Sequence, residues 1–210
     1  MIRVLIADDH PVVRKGLKQI LAEVPDIEVT GEASDARELI ENVQKEICDI
    51  ILLDITMPGR GGLDALKELR RDFPTIPVLV LSMHPEDQYG VRVLKSGAAG
   101  YMTKESAPEE LVEAIKKVHG GGKYLSPYLA EKLAFELVEG SDKPPHERLS
   151  DREFEILRLI ASGKTVSQIA SILSLSVKTI STYRARILEK MTMKTNAELT
   201  HYAIHNKLVD

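Results

Sequence analysis

Five short apolar runs alternate with longer amphipathic segments in the first part of the chain. A run of four to seven residues fits a strand that is buried on both faces. The segments between the runs repeat their apolar residues at helical spacing. Strands that alternate with helices predict βα units and a parallel sheet. The predicted strands are Ile2–Ala7, Ile27–Ala33, Ile50–Leu53, Pro77–Leu81 and Gly100–Thr103.

The last part of the chain shows only helical periodicity. Capping boxes at Ser150–Glu153 and Thr165–Gln168 each open a helix. A tight turn at Ser174–Ser176 separates the second helix from a third, Val177–Met191, and a fourth covers Asn196–His205. Two helices joined by a tight turn predict a helix-turn-helix. The pattern also fits many other small helical bundles.

These patterns divide the chain into three parts. We predict an α/β domain over residues 1–120, a linker over 121–147 and an all-α domain over 148–210. The last helix of the first domain is expected to begin with a capping box at Ser106–Glu109. Within the linker, Ser126-Pro127 is typical of a helix start, and the stretch 140–145 is expected to be flexible.

Composition and charge narrow the class of protein. With 43% hydrophobic and 29% charged residues, the chain is typical of soluble globular proteins. It has one cysteine and no apolar stretch near the ~18 residues of a membrane span, so we predict a cytoplasmic protein without membrane partners. Residues 147–210 carry ten basic and seven acidic residues, a net +3, which leaves −7 for residues 1–146. This asymmetry predicts a regulatory unit attached to a binder of polyanions.

Candidate chemistry lies where the predicted strands end. Asp54 follows the third run, Asp8-Asp9 the first, Ser82 the fourth and Lys104 the fifth. Alone, Asp54 is more readily explained as a turn residue. Parallel strands, however, would bring all these side chains to one crevice. Because neighbouring carboxylates repel, such a group requires a cation, and Mg²⁺ suits few oxygen ligands. Asp54 could then act as a nucleophile with Lys104 as its counter-charge.

Asp8-Asp9, Asp54, Ser82 and Lys104 at the strand ends resemble the receiver domain of two-component response regulators. Together with right-handed crossovers, the resemblance implies a flavodoxin-like, doubly wound five-stranded parallel sheet of order 2-1-3-4-5. It also implies that Asp54 accepts a phosphoryl group from the phosphohistidine of a partner sensor histidine kinase. Ser82 stands where Thr is commoner, which keeps the hydroxyl.

The receiver resemblance also implies roles for the neighbouring residues. Asp9 and Asp54 would hold Mg²⁺, with Asp8 acting through water and the backbone carbonyl of Thr56 completing the site. Lys104 and Ser82 would contact the phosphoryl oxygens. Tyr101 resembles the switch aromatic that turns inward when Ser82 moves.

The motifs Leu149–Glu153, Ala161–Gly163, Ile169-Ala170, Thr179-Ile180 and Lys190-Met191 resemble the LuxR-type DNA-binding domain of the NarL/FixJ family. The third helix would then enter the major groove of promoter DNA. Tyr183 stands where the family often has His. The expected DNA-binding residues are Lys178, Thr179, Ser181, Thr182, Tyr183, Arg184, Ala185, Arg186 and Lys190.

The whole pattern predicts a DNA-binding response regulator, not an enzyme. Phosphorylation of Asp54 is expected to promote a homodimer that binds promoter double-stranded DNA, and contact with RNA polymerase fits this role. Two alternatives stay open. One is a phosphorylation-independent DNA-binding regulator with a vestigial receiver, and the other is a magnesium-dependent phosphohydrolase, which would require a substrate-enclosing cap.

Overall fold

The computed structural model describes residues 1–45, 47–57, 61–139 and 144–209 of the 210-residue chain. The chain divides into two compact units, Met1–Leu133 and Ala134–Asp210. Most of the stretch predicted to be flexible, residues 140–143, lies outside the described residues. Within the described ranges, no helix has both the length and the apolar character needed to cross a membrane.

The first unit contains a five-stranded parallel sheet of order β2-β1-β3-β4-β5, which confirms the predicted topology. Every residue of β3 and β4 is buried, because helices cover both faces of the sheet. This double burial explains why these strands are uninterrupted apolar runs in the sequence. The strands are β1 (Ile2–Ala7), β2 (Ile27–Ala33), β3 (Ile50–Asp54), β4 (Val78–Ser82) and β5 (Gly100–Thr103).

Among the described residues of the first unit, four helices connect the strands, and two more helices follow the last strand. Leu21, Leu111, Ile115 and Val118 pack from these helices into the core that β1, β3 and β4 fill with apolar residues. The helices are α1 (Pro11–Ala22), α2 (Ala36–Lys45), α3 (Gly62–Asp72), α4 (Glu86–Lys95), α5 (Pro108–His119) and α6 (Pro127–Glu139).

The start of α5 differs from the prediction. Its N-cap is Ala107, and no side chain caps it. Pro108 occupies the first helical position, where its fixed φ favours helix initiation, so the helix begins one residue later than a box starting at Ser106 requires. The Ser106 hydroxyl lies instead 3.4 Å from Oγ1 of Thr103. At α6 the predicted start is confirmed, because Ser126 Oγ accepts a hydrogen bond from N of Leu129.

All regular elements in the described residues of the second unit are helices. Both predicted capping boxes are formed: Ser150 and Glu153 cap one helix, and Thr165 and Gln168 cap the next. Ser174 adopts a left-handed φ of 52° in the tight turn that follows. The elements are a 3₁₀ turn (Pro145–Arg148), α7 (Asp151–Ala161), α8 (Val166–Ile172), α9 (Val177–Lys190) and α10 (Asn196–His205).

Candidate functional site

Asp54, Lys104 and Asp8 meet at the carboxyl edge of the sheet. The Lys104 ammonium lies 2.6 Å from Oδ2 of Asp54 and 2.6 Å from Oδ2 of Asp8. All three side chains are buried. Burial alone would lower the pKa of Lys104, but hydrogen bonds to the two carboxylates outweigh it and raise the pKa above its ordinary value. Lys104 thus compensates two carboxylates that would otherwise repel each other.

The second oxygen of Asp54 is held by Thr56. Oδ1 accepts hydrogen bonds from the backbone N of Thr56 at 2.8 Å and from its hydroxyl at 2.6 Å. Asp54 ends β3, and Thr56 lies two residues further in the turn after it. Both carboxylate oxygens therefore have fixed positions, as a nucleophile that must be aligned with a substrate requires.

Asp9 supplies an oxygen that a cation could use. Its Oδ1 is buried without a hydrogen-bond partner, although Nδ1 of His10 lies 2.9 Å away. Ligand atoms of Asp8, Asp9, His10 and Asp54 all lie within 4.8 Å of one another. Carboxylate oxygens at such distances, one of them unsatisfied, fit a hard divalent cation. Sequence reasoning missed His10, whose signal was its position directly after the acidic pair.

Ser82 and Tyr101 both contact the loop after β4. Ser82 is fully buried, and its hydroxyl accepts a hydrogen bond from N of His84 at 3.1 Å. Tyr101 is only 2% exposed, and its hydroxyl donates to the carbonyl of His84 at 2.7 Å. The predicted switch pair is thus joined through one loop residue, with the tyrosine ring already inside.

Arg14 is a further residue near the acidic pair that the sequence did not reveal. Its Nη1 donates to the carbonyl of Asp8 at 2.5 Å, and its Nε lies 3.2 Å from Oε2 of Glu32. These contacts fasten the loop after β1 to the end of β2. Since Glu32 lies 18 residues from Arg14, on another element, no local pattern could have indicated this arrangement.

In the second unit, α9 follows α8 after the tight turn, as in a helix-turn-helix. Ser176 caps α9 by accepting a hydrogen bond from N of Thr179. Ile180 and Ile187 are buried, which leaves the opposite side of α9 in solvent. The predicted DNA-binding residues that are exposed are Lys178, Ser181, Thr182, Ala185, Arg186 and Lys190, while Thr179, Tyr183 and Arg184 are half-buried.

Two cations of α9 have partners within the unit. Nε of Arg184 donates to Oδ1 of Asn196 at 2.6 Å, and Nζ of Lys190 donates to Oε2 of Glu153 at 2.6 Å. Glu153 is only 3% exposed. Burial opposes its ionisation, yet hydrogen bonds from Lys190 and Ser150 lower the pKa of Glu153 below its ordinary value. Lys190 therefore supports the unit itself as well as being predicted to contact DNA.

The fold, the acidic crevice and the helix-turn-helix together define a class of protein. Residues 4–116 match the response regulator receiver domain, and residues 147–203 match the luxR family of bacterial regulatory proteins. The chain belongs to the two-component response regulators that join a receiver to a LuxR-type helix-turn-helix. This class comprises regulators of transcription, not enzymes, which leaves the phosphohydrolase alternative without support.

Individual relatives are similar in sequence to this chain over nearly its whole length. Response regulator GacA of Pseudomonas protegens is 39% identical over 210 residues, which cover 100% of this chain and 99% of that protein. Response regulator UvrY of Escherichia coli K12 is 37% identical over 209 residues, covering 99% and 96%.

Solved structures of RcsB are similar to this chain as well. RcsB of Salmonella enterica serovar Typhimurium, bound to promoter rprA with the phosphomimetic BeF₃⁻, has a TM-score of 0.67 at 30% identity, covering 96% of this chain and 97% of that one. An RcsB–DNA complex has a TM-score of 0.60 at 31% identity, covering 100% and 99%.

Proposed function

We propose that this protein is a transcription regulator switched by phosphorylation of Asp54. The observation that carries the proposal is the buried Asp54, whose two oxygens are held by Lys104 and Thr56 beside the unsatisfied oxygen of Asp9. A carboxylate so placed can form an acyl phosphate. The proposed donor is the phosphohistidine of a partner sensor histidine kinase.

The transfer can be written with these residues. A carboxylate oxygen of Asp54 attacks phosphorus, a P–O bond forms, and the P–N bond to the kinase imidazole breaks with its electron pair staying on nitrogen. Lys104 is placed to turn from Asp54 towards a phosphoryl oxygen, and the Ser82 hydroxyl towards another. Asp9 and Asp54 would hold Mg²⁺, with Asp8 acting through water and the Thr56 carbonyl as a further ligand. When bound there, Mg²⁺ neutralises charge on the transferring group.

The output side of the proposal is promoter DNA. Phosphorylation adds nearly two negative charges next to Ser82, whose rotation would break its bond to His84 and alter the loop that also holds Tyr101. The proposed result is a homodimer whose two α9 helices read half-sites in the major groove. The structures of RcsB bound to promoter rprA and of an RcsB–DNA complex support this role. A regulator of promoters acts where the DNA lies, in the cytoplasm, and contact with RNA polymerase would complete its role.

The test measures phosphorylation and DNA binding on the same samples. Wild type and Asp54→Asn are incubated with Mg²⁺ and a small acyl-phosphate donor, and intact mass counts the phosphoryl groups. Binding is then measured to DNA selected from a random library with the treated wild-type protein. The matched control is Asp26→Asn, which makes the same change at an exposed aspartate.

We expect one phosphoryl group and tighter DNA binding in wild type and in Asp26→Asn, and neither change in Asp54→Asn. DNA binding by all three proteins without any phosphoryl group would contradict the proposal and favour a regulator with a vestigial receiver.

A further inference from the structure

Leu129 of α6 fills a notch in α4 that exists because residue 90 is glycine. Leu129 is fully buried although it follows the last helix of the receiver fold. A Cβ placed on Gly90 would lie 2.4, 2.9 and 3.2 Å from Cδ2, Cδ1 and Cγ of Leu129. Glycine is unfavourable inside a helix, so its presence in the middle of α4 calls for a packing reason. The leucine side chain supplies that reason.

Polar contacts fix the same segment along the edge of the receiver. Nζ of Lys123 donates to the carbonyl of Ala98 at 2.8 Å, and N of Tyr124 donates to the carbonyl of Ala99 at 2.9 Å. Further along, Nζ of Lys132 donates to the carbonyl of Asp87, in the first turn of α4, at 3.2 Å. Residues 123–132 are therefore attached to α4 in the turn before the notch, and to the loop between α4 and β5 beyond it.

A series of contacts also links the notch to the proposed phosphorylation site. Tyr89, the residue before Gly90, stacks on the ring of His84 with a centroid distance of 5.2 Å. The backbone of His84 in turn bonds the hydroxyls of Ser82 and Tyr101. A rotation of Ser82 towards a phosphoryl group would remove one of the bonds that hold this loop. Since His84 packs on Tyr89, a displaced loop would shift the first half of α4, and with it the notch.

We propose that the Gly90 notch is the docking surface through which the receiver controls the linker helix α6. In the unphosphorylated protein Leu129 is packed in the Gly90 notch, and phosphorylation of Asp54 weakens this contact. Released from α4, the linker lets the DNA-binding unit take the arrangement that promoter binding requires. This inference rests on the proposed function, because it assigns the route by which phosphorylation of Asp54 acts on DNA binding.

Two substitutions disrupt the packing of Leu129 in the Gly90 notch in opposite ways. Leu129→Ala empties the notch, and Gly90→Ala places a methyl group where Leu129 now lies. We expect both to strengthen DNA binding by the unphosphorylated protein. Phosphorylation should change wild-type affinity by on the order of tenfold, and the variants by less than about twofold. In the double variant the shorter side chain removes the clash, so its effect should equal that of Leu129→Ala alone rather than the sum of the two.

Matched controls are available in α1 and in α6 itself. Gly16→Ala adds a methyl group to α1 where nothing lies within 4 Å, and Phe135→Ala shortens a side chain of α6 that is 61% exposed. Both should keep the wild-type ratio between phosphorylated and unphosphorylated affinities. Hydrogen exchange of peptides from residues 123–139 should rise on phosphorylation in wild type and be high in both states of Leu129→Ala.

Intact mass separates the possible failures. If the variants are phosphorylated and keep the full wild-type ratio, with unchanged exchange in α6, the notch is not the route and this inference is overturned. If wild type gains no phosphoryl group on Asp54, the proposed function fails first. A variant that is phosphorylated like wild type has a folded receiver. If phosphorylation no longer changes its DNA affinity, the defect then lies in the coupling between the receiver and DNA binding.

Discussion

Lys104 and Asp54 form a buried ion pair at 2.6 Å, with Asp8 as a second carboxylate at the same distance from the ammonium. The two carboxylates depend on the one ammonium, because loss of Lys104 would leave two buried negative charges without a cation, which is costly. It also keeps the acidic crevice intact when no other cation is bound.

Replacement of Lys104 by Met should therefore destabilise the protein. Asp8 and Asp54 would face each other without a cation, at a cost of roughly 3 kcal/mol in the free energy of unfolding. Excess Mg²⁺ should restore a large part of that loss, since the ion would take over the compensating charge. Urea denaturation with and without Mg²⁺ measures both effects. Lys15→Met, at an exposed position of α1, is the control. Equal stability of Lys104→Met and wild type without Mg²⁺ would show that the ion pair contributes nothing.

A second ion pair predicts a pH dependence. Arg3 donates its backbone N, Nε and Nη2 to the carboxylate of Asp49, and the side-chain bonds above all hold the pKa of Asp49 at about 2. Because the folded-state pKa is depressed, this stabilisation is present above the unfolded-state pKa of about 4 and is lost as the pH falls towards about 2.

Asp49→Asn should thus lower the free energy of unfolding by about 1 kcal/mol near neutral pH, after allowance for solvent screening. The difference from wild type should shrink as the pH falls from about 4 to about 2. Urea denaturation of both proteins across this range checks the sign. A difference that grows with acidity would mean that the pair does not depress the Asp49 pKa.

Arg184→Ala should weaken binding to DNA of any sequence. A phosphate contact releases counterions, so its loss should also reduce the salt slope by about one. Fluorescence anisotropy over a salt series measures both quantities, with Arg37→Ala, an exposed arginine of the receiver, as the control. If the DNA affinity and its salt dependence were unchanged, Arg184 would not contact the DNA phosphates.

Ser181 and Thr182 are expected to act on sequence preference instead. Their hydroxyls bond the carbonyls of Val177 and Lys178 within α9, which sets the orientation of both side chains on the exposed surface. Ala at either position should alter which DNA sequences are selected from a random library, with a smaller effect on non-specific binding. If DNA affinity fell equally for all sequences, Ser181 and Thr182 would instead contact the DNA backbone.

Lys190 offers a test of its two roles. Lys190→Met leaves the buried carboxylate of Glu153 without its strongest partner, so the second unit should lose about 1–3 kcal/mol of stability. Thermal unfolding followed by circular dichroism measures this loss. Lys178→Met is the control, because Lys178 is an exposed cation of the same helix. If Lys190→Met reduces only DNA affinity and leaves the unfolding temperature unchanged, the contact of Lys190 with Glu153 does not contribute to the stability of the unit.

The sequence alone determined the elements and their chemistry wherever the cause is local. Doubly buried strands such as β3 must be continuous apolar runs, and the boxes at Ser150 and Thr165 are made by residues three apart. The carboxylates, Ser82 and Lys104 could be placed at one edge because parallel strands end together. The box expected at Ser106 failed because the neighbouring Pro108 decided where α5 begins.

Tertiary structure alone decided which of these groups share a bond. The contact of Lys104 with Asp8, of Lys190 with Glu153 and of Leu129 with Gly90 each joins residues that are far apart in the chain. Periodicity shows which side of an element is buried, but not which partner covers it. Those pairings follow from how the packed elements fit against one another, and the fit depends on the whole fold.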